Sequence, residues 1–232
     1  MNNIQMIYNS LWKKSSTNFR NNIVELDNNL NRKSKDKRRG ISLIGRLDSE
    51  IIRKIMDFLG HCQLLEPDQY YYQAEDIHLT ILSIISCYEG FKLNNFPREA
   101  YGKIIAKSIN EQAEQGPIKI SFQGITASPS CIMVQGFPQS NRLKLLRECL
   151  RDNFKSSSLE NSIDQRYKLE TAHSTVIRFK KPLASNKPFL DHLKSYREYD
   201  FGDCQLKKLD LVYNDWYMSS AKLSQIKTFQ LE

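Results

Sequence analysis

Apolar residues recur along the chain with two different periods, and from about residue 40 these periods alternate. The run GISLIGRL, which begins at Gly40, is typical of a strand, whereas DSEIIRKIMDFLGHC repeats its apolar residues every three or four positions, as a helix does. Asp48 or Ser49 is the expected cap of that helix. In chain order we predict a strand at 40–47, a helix at 48–62, a strand at 76–85, a helix at 98–116, and strands at 118–128 and 131–137.

The order of elements then begins again. We predict a helix at 139–154, a strand at 169–179, a helix at 186–202, and two final strands at 203–217 and 220–231 that form a hairpin. In both halves a strand that ends near a glycine, Gly45 or Gly136, precedes a helix, and a strand with the pattern His-x-Thr follows. The predicted fold class is α+β, with two pseudo-symmetric lobes around a central cleft, each a mainly antiparallel sheet with outer helices.

The first 39 residues differ from the rest because they are rich in asparagine and contain one weakly periodic apolar set. The members of that set are Ile4, Ile7, Tyr8, Leu11 and Trp12. Their spacing predicts a short amphipathic helix that packs on the main body. We therefore predict a partly helical extension at 1–39 and a single bilobal domain at 40–232, whose intertwined lobes span about 40–130 and 131–232.

Composition excludes several classes of protein. Of the 232 residues, 40% are hydrophobic and 26% are charged, which is an ordinary globular balance. No run of about 18 apolar residues predicts a membrane span, and the N-terminus lacks the apolar stretch and cleavage site of a signal peptide. Five scattered cysteines without a CxxC pair favour reduced thiols over a disulfide framework or a zinc site. We expect a cytoplasmic protein and favour a monomer.

The net charge of +8 favours an anionic partner, such as a phosphate-bearing ligand or RNA. Much of this charge lies in the run NRKSKDKRRG at 31–40. For that run a solvated linker or helix end is a simpler interpretation than a binding site.

Two of the four histidines occupy equivalent positions in the two predicted repeats. His78 in EDIHLTILSII and His173 in TAHSTVIRF each precede a threonine by two residues, Thr80 and Thr175 respectively. Side chains alternate between the faces of a strand, so each histidine faces the same way as its threonine while the apolar neighbours face the helices. One such pattern is most simply a histidine hydrogen-bonded within the core, but a matched pair favours a shared function.

A pseudo-twofold relation between the lobes brings the two imidazoles and the two hydroxyls to one cleft. Histidine has an ordinary pKa of about 6.5, so either protonation state is accessible near neutrality. A neutral ring deprotonates a nucleophile while a protonated ring protonates the leaving oxygen, and each such group contributes roughly 10²–10⁴-fold. The threonine hydroxyls suit the phosphoryl oxygens. The sequence has no HxH or HExxH pattern, and we expect neither a metal nor another cofactor.

The paired His-x-Thr motifs in two similar α+β halves resemble the two-histidine (2H) phosphoesterase superfamily, which includes LigT-like RNA 2′,5′ ligases and cyclic phosphodiesterases. The resemblance covers about 40–231 and leaves the N-terminal segment outside. It implies that His78 and His173 are catalytic, that Thr80 and Thr175 bind phosphate, and that the substrate is a nucleotide or an RNA-derived phosphodiester. Which histidine is the acid stays open.

Our leading prediction is a metal-independent phosphodiesterase that hydrolyses a cyclic nucleotide, a 2′,3′-cyclic phosphate or a (cyclic) oligonucleotide phosphodiester. The alternatives are an RNA 2′,5′-ligase-like activity at the same site, a nucleotide- or RNA-binding module without turnover, and a purely structural interaction protein.

Aromatic residues near the motifs are candidates for stacking on a nucleobase, which is worth roughly 1–3 kcal/mol per base. They are Tyr70, Tyr71, Tyr72, Trp216 and Tyr217. The alternative is that these rings pack in the core or against the N-terminal helix.

Three cations near the motifs are weaker candidates. Arg46, at the end of the first strand, is within possible reach of a phosphate, although a surface cation is the simpler interpretation. Arg178 lies an odd number of residues from His173, so we expect it to face away from the cleft unless the strand bulges. Lys180 lies beyond the expected end of that strand.

Overall fold

The computed structural model describes residues 3–94 and 96–231, which fold into nine strands and five α-helices with short 3₁₀ turns between them. The strands are β1 (Arg38–Gly45), β2 (Tyr70–Tyr71), β3 (Leu79–Glu89), β4 (Ile118–Ser128), β5 (Cys131–Pro138), β6 (Ser174–Arg178), β7 (Asp200–Leu206), β8 (Lys208–Asp215) and β9 (Ser224–Gln230). The helices are α1 (Asn3–Arg20), α2 (Ser49–Leu65), α3 (Arg98–Asn110), α4 (Arg142–Lys155) and α5 (Asn186–Ser195). Among these described helices, none combines the length and the apolar character needed to cross a membrane.

Two antiparallel sheets form the framework. The first sheet has the strand order β3-β1-β8-β9, and the second has the order β2-β6-β5-β4-β7. The predicted α+β class with two lobes is therefore confirmed. Each sheet takes strands from both halves of the chain, since β8 and β9 complete the first sheet while β2 and β4 belong to the second. The division of the chain into an extension at 1–39 and a domain at 40–232 stays a prediction.

The helices also cross between the halves. Helix α4 follows a strand of the second sheet, yet it packs against β3 of the first sheet and against α3. Its buried residues Leu143, Leu146, Leu150 and Phe154 recur every three or four positions, so they form one apolar face. In the same way α2 follows β1 of the first sheet but packs against β7 and α5. This exchange of helices interlocks the two lobes.

Helix α1 is present where the apolar spacing predicts it, and it packs against β4 and α5. Tyr8 and Phe19 are fully buried. The other predicted contact residues are half-buried, namely Ile4, Ile7, Leu11 and Trp12. Hydrogen bonds also hold the helix on β4, because the Ser15 hydroxyl donates to the Ala127 carbonyl at 2.9 Å.

Two predicted helices are too long. Helix α3 ends at Asn110 and not near Gly116, because the stretch that follows, EQAEQ, offers no large apolar side chain to the core. Helix α5 ends at Ser195 and not near Gly202, and β7 begins at Asp200. In β7 every second or third residue is buried, including Phe201, Cys204 and Leu206, as a half-buried strand requires.

The predicted strand at 203–217 is also wrong, because it combines parts of two strands from different sheets. Strand β7 lies at the edge of the second sheet beside β4, whereas β8 lies in the first sheet between β1 and β9. The chain passes from one sheet to the other at Lys207. Only the β8–β9 pair is the expected hairpin.

A buried arginine of α4, Arg147, joins the two sheets at the motifs. Only 3% of its surface is exposed. Its guanidinium donates hydrogen bonds to the carbonyls of Ile81 at 2.8 Å and Thr80 at 2.9 Å in β3, and of Thr171 at 3.0 Å, just before β6. Burial lowers the pKa of Arg147 to about 10, so the group stays charged at neutral pH. One side chain thus fixes the relative position of both His-x-Thr segments.

We predict that Arg147→Met lowers the free energy of unfolding by about 3 kcal/mol or more, because three buried carbonyls lose a charged donor. Lys144→Met is the matched control, since Lys144 is an exposed cation of the same helix and its loss is expected to cost less than about 0.5 kcal/mol. Urea unfolding of both variants measures the difference. Equal stability of the two variants contradicts the bridging role of Arg147.

Candidate active site

The two His-x-Thr segments meet at one cleft between the sheets. His78, Thr80, His173 and Thr175 all line this cleft, whose volume is about 180 Å³. Each histidine is the residue immediately before its strand, since β3 begins at Leu79 and β6 at Ser174. The prediction that the histidines lie within the strands is therefore wrong by one residue. A direct hydrogen bond also joins the segments, because the Ser174 hydroxyl donates to the His78 carbonyl at 2.8 Å.

A β-bulge follows the first motif. Two consecutive residues of β1 pair with Thr80 and Leu82 of β3, so Ile81 is an extra residue on β3. The extra residue changes the alternation of side chains. As a result Ser83, three residues after Thr80, lines the same cleft.

The second motif has the equivalent bulge. Two consecutive residues of β5 pair with Thr175 and Ile177 of β6, which leaves Val176 as the extra residue. Arg178 therefore lines the cleft together with Thr175, and the expectation that it faces away is wrong. Its Nε donates to the Tyr72 hydroxyl at 2.9 Å, which orients the guanidinium. Arg178 is the main cleft residue that strict strand alternation misses.

The surroundings of His78 favour its neutral form. Its Nδ1 lies 2.7 Å from the Asp76 carbonyl, which can only accept, so Nδ1 carries the proton and Nε2 is the accepting nitrogen of the neutral ring. Burial lowers the pKa of His78 to about 4, and the charges of Arg46 and Arg178 act in the same direction. In the absence of a ligand, His78 is therefore neutral at pH 7.

His173 has the same charge state but a different partner. Its Nδ1 lies 2.7 Å from the hydroxyl of Thr171, a group that can donate or accept. Burial, together with the neighbouring Arg147, His78 and Arg178, lowers the pKa of His173 to about 4. Both imidazoles thus lie in a region of positive potential, which a bound anion would reduce.

The aromatic candidates divide into two groups. Tyr72 and Trp216 line the cleft. Tyr71 lies in the core, where its hydroxyl donates to the carbonyls of Cys62 and Glu66. Tyr70 and Tyr217 pack against each other away from the cleft lining, with ring centroids 5.5 Å apart.

Tyr70 also accepts a hydrogen bond from the Lys33 ammonium at 2.6 Å, and the same ammonium lies over the Tyr217 ring. The basic run at 31–40 is therefore not wholly a solvated linker, because Lys33 packs against both tyrosine rings. Arg46 donates to the Glu75 carbonyl at 2.7 Å and is not among the cleft-lining residues.

Trp216 is covered by two guanidinium groups. The central carbon of Arg38 lies 4.6 Å from the ring centroid and that of Arg166 lies 4.4 Å from it, both within the range of cation–π attraction. Arg38 is held by Asp36 at 2.7 Å, whereas Arg166 is exposed on the segment that leads to the second motif. The Trp216 ring is therefore already in contact with two cations on the cleft lining.

The segment between α4 and β6 forms one wall of the cleft through Ser162, Asp164, Arg166, Tyr167 and Leu169. It is fixed to β3 because the Ser162 amide donates to the Ile84 carbonyl at 2.9 Å, and to α4 by the Arg151–Asp164 ion pair at 2.6 Å. This wall has no periodic pattern that sequence reasoning could use.

Within residues 3–94 and 96–231, no three His, Cys, Asp or Glu side chains form a group that could hold a metal ion.

Comparisons with known proteins detect similarity in structure and not in sequence. No protein-family model matches the chain, and no curated protein matches it. Among solved structures, TT0787 of Thermus thermophilus superposes with a TM-score of 0.57 at 14% identity, covering 83% of this chain and 97% of that one. Escherichia coli LigT complexed with 3′-AMP gives 0.54 at 13% identity, with 84% and 98% covered.

A further structure described as a phosphoesterase gives a TM-score of 0.52 at 12% identity, covering 84% of this chain and 98% of that one. Identities this low establish the fold alone. The resemblance that the paired motifs indicate is confirmed at that level: the chain has the fold of the LigT-like two-histidine phosphoesterases.

Proposed function

We propose that this protein is a metal-independent phosphodiesterase that uses His78 and His173 as general acid and base. The observation that carries the proposal is the meeting of both His-x-Thr segments in one cleft, next to the guanidinium of Arg178. The substrate class is a cyclic nucleotide, a 2′,3′-cyclic phosphate or a (cyclic) oligonucleotide phosphodiester. The likeness of the fold to E. coli LigT, which has been crystallised with 3′-AMP and with ATP, supports a nucleotide.

In the proposed reaction a neutral imidazole takes a proton from water, and the water oxygen attacks phosphorus. The P–O bond to the leaving oxygen breaks, and the other imidazole, protonated, gives its proton to that oxygen. The hydroxyls of Thr80 and Thr175 and the guanidinium of Arg178 bind the non-bridging oxygens, where charge changes during the reaction. The fixed Nδ1–H of His78 leaves its Nε2 free to accept a proton when that ring is neutral.

Because the pKa values of both histidines are low, the proposed mechanism needs the substrate to favour protonation of one of the two rings. With both rings neutral, the unliganded site has a base but lacks an acid at pH 7. A phosphodiester anion near the rings stabilises the imidazolium form and so raises the histidine pKa. Binding of the substrate therefore prepares one ring for proton donation.

A cytoplasmic location and a monomeric state remain predictions from the sequence.

We predict that His78→Gln and His173→Gln each reduce hydrolysis of 2′,3′-cyclic nucleotides by roughly 10²–10⁴-fold, because each removes a proton-transfer group. The assay contains EDTA and follows the product by mass. The Kd of a nucleotide is expected to change by only a few fold, since glutamine retains a polar side chain. His61→Gln is the matched control, because His61 is exposed on α2 away from the cleft.

Hydrolysis that survives in both variants at more than a tenth of the native rate contradicts the two-histidine mechanism. A native protein that binds nucleotides but turns over none of them supports the binding-module alternative. Formation of a 2′,5′ linkage from a 2′,3′-cyclic end and a free hydroxyl supports the ligase-like alternative.

We also predict that NMR titration of His78 and His173 gives midpoints well below 6.5 without ligand and higher midpoints with inorganic phosphate. The sign follows from the site: burial and nearby cations favour the neutral ring, and a bound anion favours the protonated one. Arg178→Gln removes a cation from the cleft, so the midpoints without ligand should rise and the response to phosphate should weaken. Midpoints near 6.5 that phosphate does not move contradict this account.

A further inference from the structure

A tight turn after β8 places two side chains on the cleft lining. Trp216 and Met218 both line the cleft. They lie between Asp215, which ends β8, and the 3₁₀ turn at Ser220–Lys222. Met218 has a φ of 55°, which is in the left-handed region that a methionine rarely adopts. A strained backbone of this kind persists only where surrounding groups hold it, and such segments cluster at functional sites. The contacts that hold this turn therefore matter for the cleft.

Asp215 holds the first part of the turn. Its Oδ1 accepts the amides of Tyr217 at 3.1 Å and Ser219 at 2.8 Å, and its carbonyl accepts the amide of Met218 at 3.2 Å. Only 1% of the surface of Asp215 is exposed, so water does not compete for these hydrogen bonds. Three successive amides are thus bound by one buried residue, which fixes the turn to the end of β8.

The next amide of the turn binds a residue that is distant in sequence. The Ser220 amide donates to Oδ1 of Asp76 at 2.7 Å, across 144 positions of the chain. Asp76 is 4% exposed and ends the 3₁₀ turn at Ala74–Asp76, two residues before His78. Strands β3 and β8 do not pair with each other, because β1 lies between them. This hydrogen bond is therefore a direct connection between the end of β8 and the entry to β3.

The same residue also holds the first imidazole. The carbonyl of Asp76 accepts a hydrogen bond from Nδ1 of His78 at 2.7 Å, and the Asp76 amide donates to the Gln73 carbonyl at 3.0 Å. Asp76 thus has its amide, its carbonyl and its carboxylate each in a hydrogen bond. Because the amide and the carboxylate are fixed, the carbonyl has little freedom to turn away from Nδ1. The orientation of the His78 ring and the position of the turn that carries Trp216 consequently depend on one residue.

We propose that Asp76 is a positioning residue that fixes His78 relative to Trp216, through its carbonyl on one side and its carboxylate on the other. The regular sheet does not set this spacing, because the two segments belong to strands that are not neighbours. The kinetic part of the inference rests on the proposed function, whereas the effects on the His78 ring and on Trp216 do not.

The test removes the amide donor and leaves Asp76 in place. Ser220→Pro deletes the amide hydrogen, and proline suits the first position of a 3₁₀ turn whose preceding residue, Ser219, has an extended backbone with a ψ of 123°. Ser220→Ala is the matched control, because it retains the amide and changes an exposed side chain. Both variants are made in the full chain with Trp12→Phe, which leaves Trp216 as the single tryptophan.

For Ser220→Pro we expect the ¹⁵N NMR signals of His78 to show a smaller fraction of the Nδ1–H tautomer, while those of His173 stay unchanged. We expect the fluorescence emission of Trp216 to shift. The value of kcat/KM for a 2′,3′-cyclic nucleotide should fall about five- to tenfold, the equivalent of one hydrogen bond. Ser220→Ala should be native in all three measurements. A loss of stability alone does not change the tautomer in the folded chain, so the NMR signals separate positioning from a purely structural role.

The inference is overturned if Ser220→Pro leaves the His78 tautomer ratio and the Trp216 emission at their Ser220→Ala values. If Ser220→Pro does not fold, Asp76→Asn and Asp76→Ala provide a second test. Asparagine keeps the Oδ1 acceptor and should retain the native His78 signals, whereas alanine should not, and equal signals for the two variants reject the role of the carboxylate. A native chain without hydrolytic activity removes the proposed function, and the two spectroscopic measurements then still decide the role of Asp76.

Discussion

The guanidinium of Arg147 binds backbone carbonyls of β3 in one sheet and of the segment that leads into β6 of the other, and the geometry of the cleft depends on that connection. A buried cation is costly unless its donors are satisfied, and here the partners are the carbonyls of Thr80, Ile81 and Thr171. Because β3 is the edge strand of its sheet, carbonyls on its outer side have no ladder partner, and the bulge at Ile81 lets two consecutive carbonyls reach the same guanidinium. The same irregularity turns Ser83 toward the cleft. The bulge, the buried arginine and the orientation of the motif side chains therefore depend on one another.

Local periodicity was sufficient to predict most elements, the α+β class and the four motif residues, because each of these depends on residues close in sequence. The ends of α3 and α5 were wrong, since the chain leaves the helix where tertiary packing ends and not at the next glycine. The exchange of α2 and α4 between the sheets was not predicted, because the apolar face of a helix does not indicate in sequence which sheet it covers. The position of Arg178 in the cleft was not predicted for a similar reason. A bulge is a property of strand pairing, and alternation alone assigns that side chain to the wrong face.

The two halves are similar in backbone and different in charge. At equivalent positions after the bulges, the first motif carries Ser83 and the second carries Arg178. The cleft therefore has one neutral and one cationic side, although each motif contributes one histidine and one threonine to its lining. Under the proposed function, this asymmetry would give a phosphodiester a preferred orientation, because its non-bridging oxygens would gain most from the side of Arg178. It also lowers the pKa of both histidines, so that anion binding and protonation of a ring are coupled.

The partners of the two Nδ1 atoms differ in how firmly they fix the tautomer of the ring. The Asp76 carbonyl can only accept, so backbone geometry alone fixes the neutral tautomer of His78. The Thr171 hydroxyl can rotate, so the fold of the two sheets leaves the tautomer of His173 undetermined. A hydrogen-bonding group that enters the cleft can therefore decide the tautomer of His173, whereas the tautomer of neutral His78 is fixed before any ligand binds. The two imidazoles thus differ in proton placement even though each lies just before its strand and two residues before a threonine.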